Sequence, residues 1–190
     1  MTEAGTVEGH DRLRLFCGLR LPSEALDIVS CWQSVEFADA AVRVVPPANL
    51  HVTLAFLGAR PAGEVPAIRD ELRAAAHGAG PVEFRLADRP YRETRGVGML
   101  VLRDLDGGAG ALAGEIQTRL ERLGVFRREP RDWLPHLTVI RFNRPPRHRF
   151  ECRAPLPLGR FSPSDAALYT SALRRTGAQY QVLESVALGG

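Results

Sequence analysis

Apolar residues recur along the chain with two different spacings, and each spacing predicts a different kind of element. Alternating or continuous apolar runs rich in β-branched residues predict strands, and apolar residues three and four apart predict helices. Strands are expected at residues 12–20, 42–45, 49–58, 82–87, 97–102, 134–143, 166–173 and 179–188. Helices are expected from Ser23, as a capping residue after Pro22, and over residues 65–77 and 111–123. A polar loop, DRPYRETRG, should join the strands at 82–87 and 97–102. Since most connections are too short for parallel crossovers, this order predicts an α+β fold with antiparallel sheets.

Two of the predicted strands carry the same polar pair in an otherwise apolar run. NLHVTLAFLG contains His51 and Thr53, and LPHLTVIRFN contains His136 and Thr138. Because strand side chains alternate between faces, the histidine and threonine of each run share one face, roughly 6.5–7 Å apart. One such pair is weak support for a site, because many histidines lie in a core without a catalytic role. Two copies 85 residues apart indicate a duplicated unit whose halves face each other.

Length and composition limit what these elements can build. The chain has 190 residues, of which 45% are apolar and 25% charged, as in ordinary globular proteins. We expect residues 1–11 to be a disordered lead-in and residues 12–190 to form a single domain with two lobes. No apolar run approaches the roughly 18–20 residues of a membrane helix. Three widely spaced cysteines favour a reducing, cytoplasmic setting, and we expect a monomer.

The basic residues of the chain are all arginine: there are 25 of them and no lysine. This excludes mechanisms that need a phosphate-loop lysine, a Schiff base or a lysine that carries a nucleotidyl group. Eight arginines lie between residues 127 and 153 against three acidic residues, so this stretch carries +5 while the whole chain carries +3. Such a run can be a solvated loop. Its position around the second motif, and the bidentate grip of arginine on phosphate, favour nucleic acid as the partner.

The four polar side chains of the two motif strands suit phosphodiester chemistry. Neutral histidine accepts a proton and protonated histidine donates one near neutral pH, so two imidazoles facing one space can act as base and acid. The two hydroxyls can donate to phosphate oxygens. The sequence contains no H-E-x-x-H, cysteine pair or aspartate cluster, so neither a metal nor a cofactor is expected. The G-x-S-x-G run of many serine hydrolases is also missing.

With both motifs in view, the chain resembles the two-histidine phosphoesterase superfamily, and more narrowly the RNA 2′,3′-cyclic phosphodiesterases, also called 2′-5′ RNA ligases. The resemblance covers nearly the whole chain after residue 11 and is carried by RLFCGLRLP, RVVPPANLHVTLAFLG, PHLTVIRF and LYTSALRRTGAQYQVLESVAL. It implies a bilobal α+β fold in which two antiparallel sheets, related by pseudo-twofold symmetry, line a central groove with the helices outside. Residues 90–99 depart from the family, because they are more polar than the tryptophan-bearing strand expected there.

The resemblance also implies roles for the motif residues. His51 would be the general acid for the leaving 3′-oxygen, and His136 the base that activates water, which leaves a 2′-phosphate. Thr53 and Thr138 would hold the phosphate. The implied function is metal-independent hydrolysis of RNA 2′,3′-cyclic phosphate ends, with reversible 2′-5′ ligation as the same chemistry run backwards. The alternatives are a small-nucleotide cyclic phosphodiesterase and a non-catalytic RNA-binding module that uses the arginine-rich stretch.

Two further residues, Phe56 and Arg141, each follow a motif histidine by five positions. By resemblance they would stack on the base and contact the RNA or its phosphate. Strict alternation places them on the face opposite to the histidines, so a bulge or the end of the strand would have to bring them round. Core packing is the alternative interpretation of Phe56. For Arg141 function is the better interpretation, because a charged residue in a strand needs a partner.

Overall fold

Eight strands of the described residues form one curled antiparallel sheet in this computed structural model, which describes residues 12–38, 40, 42–145, 150–174 and 177–188. The lead-in expected at residues 1–11 lies outside these ranges. The strands are β1 (Arg12–Arg20), β2 (Arg43–Val44), β3 (His51–Pro61), β4 (Phe84–Glu93), β5 (Val97–Asp104), β6 (His136–Arg141), β7 (Asp165–Arg174) and β8 (Gly177–Ala187). Their order across the sheet is β4-β5-β6-β3-β1-β7-β8, and β2 pairs with β6. The antiparallel α+β arrangement predicted from the short connections is confirmed.

Three helices, α1 (Ser23–Glu36), α2 (Val65–His77) and α3 (Gly108–Arg122), pack on the sheet and bury its main core. The predicted bounds of α2 are confirmed: its apolar positions Ile68, Leu72 and Ala75 are buried, as the spacing of three and four requires. Helix α1 begins at Ser23, but no side-chain hydrogen bond caps it, so the predicted capping role of Ser23 is wrong.

The two halves of the sheet meet at β3 and β6, the strands that carry the two motifs. They are joined by one residue pair, Val52 opposite Leu137. The two sheets expected from the sequence are therefore two halves of one sheet with a narrow connection. This connection brings the motif strands side by side and antiparallel, with three strands on the far side of β3 and two on the far side of β6.

The polar loop predicted between the strands at 82–87 and 97–102 is wrong over most of its length. Strand β4 continues through Glu93, with an irregularity between Leu86 and Tyr91, and the turn is formed by residues 94–96. In that turn the Thr94 hydroxyl accepts the backbone N–H of Val97 at 3.2 Å. On composition alone these polar residues predict a loop. Residues 91–93 form a strand because they pair with β5, and an edge strand with one solvated face tolerates polar side chains.

Candidate active site

The β3–β6 pair places the four motif side chains on one face of the sheet. Val52 lies opposite Leu137, and both are fully buried on the helix-covered side. His51 and Thr53 flank Val52, and His136 and Thr138 flank Leu137, so the four half-buried side chains project from the other face. With antiparallel register, His51 lies beside Thr138 and Thr53 beside His136.

The imidazole of His51 is fixed by two hydrogen bonds. Its Nδ1 lies 2.8 Å from the carbonyl oxygen of Asn49, and its Nε2 lies 3.0 Å from the hydroxyl of Thr53. A carbonyl only accepts, so Nδ1 carries the proton and, in the neutral ring, Nε2 accepts the hydrogen bond that Thr53 donates. Asn49 is in turn held by its side-chain amide, which donates to the carbonyl of Ala178 in β8 at 2.7 Å.

The imidazole of His136 is held in the same way. Its Nδ1 lies 2.8 Å from the carbonyl oxygen of Leu134, two residues earlier in the chain. Nδ1 again carries the proton, so Nε2 is the nitrogen available for chemistry. In each strand the backbone two residues before the histidine therefore sets its tautomer, and both rings present Nε2 to the groove.

An aromatic cluster surrounds His51 on the groove face of β1, β7 and β8. The ring of Phe16 lies 4.7 Å from the His51 ring between centroids, that of Tyr180 5.5 Å edge-on, and that of Tyr169 5.8 Å. Gly18 leaves room for the imidazole: a Cβ at this position would lie 3.1 Å from His51 Cδ2. Neither the rings nor Gly18 can be recognised from the sequence, because they come from strands whose pairing the sequence does not specify.

This environment lowers the pKa of His51 from 6.5 to about 4. The main cause is loss of hydration on burial, and the neighbouring charges of His136 and Arg141 lower the pKa further, whereas the Asn49 carbonyl opposes the shift. The unliganded protein therefore holds His51 neutral at pH 7.

Each motif strand contains a bulge three residues after its histidine. In β3, Thr53 and Ala55 pair with consecutive residues of β1, so Leu54 has no partner there. In β6, Thr138 and Ile140 pair with consecutive residues of β5, so Val139 has none. Two successive side chains are buried at each bulge, and the alternation is shifted by one residue beyond it.

These bulges turn Phe56 and Arg141 to the groove face. Phe56 is 63% exposed, which excludes core packing, and its ring lies 6.0 Å from that of Phe16. Arg141 is half-buried and lies opposite Arg43 of β2. Strict alternation would have placed both Phe56 and Arg141 under the helices, so the matching bulges are the feature that strand periodicity missed.

Trp133 connects the two motif strands beside their single pair. Its indole N–H donates to the backbone carbonyl of Thr53 at 2.9 Å. Since β3 and β6 are joined by one pair of residues, this bond adds a second connection next to the four motif side chains. Trp133 is near the second motif in sequence, but a tryptophan before a strand is no sign of such a contact.

The arginine-rich stretch is partly neutralised by ion pairs. Arg131 pairs with Glu129 at 2.6 Å, and Arg128 with Glu121 at 3.6 Å. Arg141 makes no ion pair within 4.0 Å among the described residues. Arg141 is therefore a cation on the groove face of β6, and a guanidinium of this kind can bind a phosphate through two hydrogen bonds.

The described ranges offer no ready metal site, since they contain no cluster of three or more histidine, cysteine, aspartate or glutamate side chains that could hold an ion. None of the helices in those ranges combines the length and apolar character needed to cross a bilayer.

The protein has the two-histidine phosphoesterase fold. It is a curled antiparallel sheet, and each half of the sheet contributes a histidine and a threonine at the central strand pair. Comparison with known proteins agrees with this class. Residues 21–88 match the family described as LigT like Phosphoesterase. The RNA 2′,3′-cyclic phosphodiesterase of Escherichia coli K12 is 32% identical over 133 residues, 67% of this chain and 71% of the relative. The chain belongs to the LigT-like phosphoesterase family and is a phosphoesterase.

Solved structures extend the similarity over nearly the whole chain. The protein TT0787 of Thermus thermophilus matches with a TM-score of 0.77 and 27% identity, covering 92% of this chain and 97% of its own. E. coli LigT in its apo form matches with a TM-score of 0.75 and 26% identity, covering 95% and 99%. The α+β fold expected from the sequence is thus shared with these solved structures, which include LigT itself.

Proposed function

We propose that this protein hydrolyses RNA 2′,3′-cyclic phosphate ends to 2′-phosphates without a metal ion. The observation that carries the proposal is the paired presentation of Nε2 by His51 and His136, each beside a threonine, at the junction of β3 and β6. Similarity to the E. coli RNA 2′,3′-cyclic phosphodiesterase supports the choice of substrate. Two imidazoles and two hydroxyls can supply a proton acceptor, a proton donor and hydrogen bonds to phosphate, which in-line displacement requires.

In the proposed reaction His136 is the base and His51 the acid. Nε2 of His136 takes a proton from water as the water oxygen bonds to phosphorus. The bond from phosphorus to the 3′-oxygen breaks on the opposite side, and protonated Nε2 of His51 gives its proton to that oxygen. The products are a 2′-phosphate and a free 3′-hydroxyl, and exchange of protons with solvent restores both rings.

The low pKa of His51 in the unliganded protein makes substrate binding part of this mechanism. A cyclic phosphate diester carries one negative charge, which opposes the positive charges of His136 and Arg141 that lower the pKa. Binding should therefore raise the pKa of His51 and favour its acid form. Once Nε2 is protonated, the Thr53 hydroxyl no longer donates to it and is free to donate to a phosphate oxygen.

Substrate contacts are assigned to the residues around the four motif side chains. Thr138 donates to a second non-bridging oxygen, and Arg141 adds positive charge close to His51. Phe56, with most of its ring exposed on the groove face, stacks on the terminal base. Ligation is the reverse reaction, in which a 5′-hydroxyl replaces water at a cyclic phosphate and forms a 2′-5′ bond. Without an energy source we rank it as a side activity.

The test is hydrolysis of an oligoribonucleotide with a 2′,3′-cyclic phosphate end in the presence of EDTA. We expect turnover, a 2′-phosphate product in the phosphorus NMR spectrum, and a loss of roughly 10²–10⁴-fold in kcat for His51→Ala and for His136→Ala. The control is His77→Ala, which removes an exposed imidazole at the end of α2. Full activity of both groove variants would end the proposal, and dependence on added metal would overturn its metal-free form.

Two comparisons separate the remaining alternatives. Faster turnover of a cyclic mononucleotide than of the oligonucleotide would favour the small-nucleotide phosphodiesterase. A diester with a p-nitrophenol leaving group needs little help from a general acid. On that substrate the reduction in kcat caused by His51→Ala should therefore be small, whereas the reduction caused by His136→Ala should remain large. The opposite pattern would exchange the acid and base roles of the two histidines. The non-catalytic RNA-binding alternative is disfavoured by membership of a phosphoesterase family.

A further inference from the structure

Two glutamines on different helices bind the carbonyl groups of the two bulges. Gln117 of α3 donates from Nε2 to the backbone oxygen of Leu54 at 2.9 Å. Gln33 of α1 donates from Nε2 to the backbone oxygen of Val139 at 2.7 Å. Leu54 and Val139 are each the third residue after a motif histidine and are the residues that lack a partner in the neighbouring strand. The same contact therefore occurs once in each half of the sheet.

The contacts answer a physical need created by the bulges. A bulge leaves its residue out of the ladder on one side, and a buried carbonyl oxygen has two lone pairs that can each accept a hydrogen bond. Gln33 is itself only 2% exposed and also donates to the carbonyl of Val45, at 3.2 Å. Val139 additionally accepts from the N–H of Val45, so Gln33 ties the end of β2 to the bulge of β6. A buried amide is tolerated where its hydrogen bonds are made, which is the case here.

We propose that Gln33 and Gln117 are positioning residues, which hold the two bulges and thereby keep Arg141 and Phe56 turned to the groove. Without its bulge each strand would return to plain alternation, which places its fifth residue after the histidine under the helices. The glutamines touch no substrate; they act through Phe56 and Arg141. The activity readout of this inference rests on the proposed hydrolysis of cyclic phosphate ends.

Double-mutant cycles test the proposal within each half of the sheet. Methionine has about the length of glutamine but donates no hydrogen bond, so Gln117→Met removes the contact to Leu54 with little change in volume. We expect Gln117→Met to raise KM for the oligonucleotide roughly tenfold, with kcat within about twofold. In Phe56→Ala the same glutamine change should add almost nothing, because the ring that it positions is gone. Gln33→Met and Arg141→Ala form the matching cycle in the other half.

Cycles across the halves are the control. Gln117→Met combined with Arg141→Ala, and Gln33→Met combined with Phe56→Ala, should give the product of the single effects on KM. Coupling within each half and none across would support the proposal. Independent effects in all four cycles, or equal coupling in all four, would overturn it, because general loss of structure has no preference for one half. If Gln33→Met does not fold, the two cycles built on Gln117, which is half-buried, decide the matter alone.

A second measurement does not depend on catalysis. Amide hydrogen exchange of residues 54–57 should become faster in Gln117→Met, while exchange in β7 and β8 stays as in the wild type. Unchanged exchange at the bulge, or faster exchange throughout the sheet, would contradict the positioning role. If the wild type hydrolyses no cyclic phosphate, the proposed function fails, and the exchange pattern still decides whether the glutamines hold the bulges.

Discussion

His51 should make the stability of the protein fall as the pH is lowered below its usual titration range. In the folded protein the pKa of His51 is lowered from 6.5 to about 4, mainly by loss of hydration. In the unfolded chain the ring regains water and its ordinary value. Between these two pKa values the unfolded state binds a proton that the folded state does not, so the free energy of unfolding decreases as the pH falls through this window.

The size of this effect follows from the two pKa values. Because the pKa of His51 is 6.5 in the unfolded chain and about 4 in the folded protein, the free energy of unfolding falls by ~3 kcal/mol in total once the pH is below both values. About 2.5 kcal/mol of this loss has occurred by pH 4.5. The effect is absent above about pH 7.5, where the ring is neutral in both states. Carboxylates also lose stabilising interactions in acid, so the contribution of His51 has to be measured as a difference between two proteins.

The perturbation is His51→Gln, which keeps a polar side chain and removes the titrating group. Urea unfolding of the wild type and of the variant at several pH values between 7.5 and 4.5 gives the two free energies of unfolding. The wild type should lose ~2.5 kcal/mol more than the variant over this range. His77→Gln, which removes an exposed imidazole at the end of α2, is the matched control. Parallel curves for the wild type and His51→Gln would refute the reasoning that burial holds this ring neutral.

Three other changes probe the same site. Gly18→Ala puts a methyl group 3.1 Å from His51 Cδ2 and from the Val52 carbonyl oxygen, which should displace the imidazole. In the cyclic phosphate assay kcat should therefore fall roughly tenfold to hundredfold. An unchanged kcat would mean that the ring has room to move. Arg141→Gln removes a positive charge that lowers the pKa of His51, so this pKa should rise in an NMR titration. An unchanged pKa would mean that the guanidinium is too far from the imidazole to affect its titration. Trp133→Phe loses the indole bond to the Thr53 carbonyl and should cost ~1 kcal/mol in urea unfolding, and no cost would show that the bond is replaced by water.

Local patterns in the sequence determined most of the elements. The period of 3.6 predicted α2 within its observed bounds, and alternation predicted β1 over residues 12–20 as observed. The two His-x-Thr runs predicted that each histidine shares a face with its threonine. The bond from Thr53 to His51 shows this contact in β3. These inferences succeed because the face of a side chain depends on backbone geometry over a few residues. The catalytic and binding roles of the motif residues stay predictions until the assays are done.

The tertiary structure decided what depends on neighbouring strands and helices. Residues 91–93 are a strand because β5 pairs with them, and residues 88–90 lie in the irregular part of the same strand. Phe56 and Arg141 face the groove because bulges in β3 and β6 shift the alternation. Gln33 and Gln117 bind those bulges from helices 106 and 63 residues away in sequence. The periodicity of a strand does not show where a bulge will form, because the side chains that bind these two bulges come from distant helices. Long-range hydrogen bonding of the backbone is therefore the information that local sequence patterns lack.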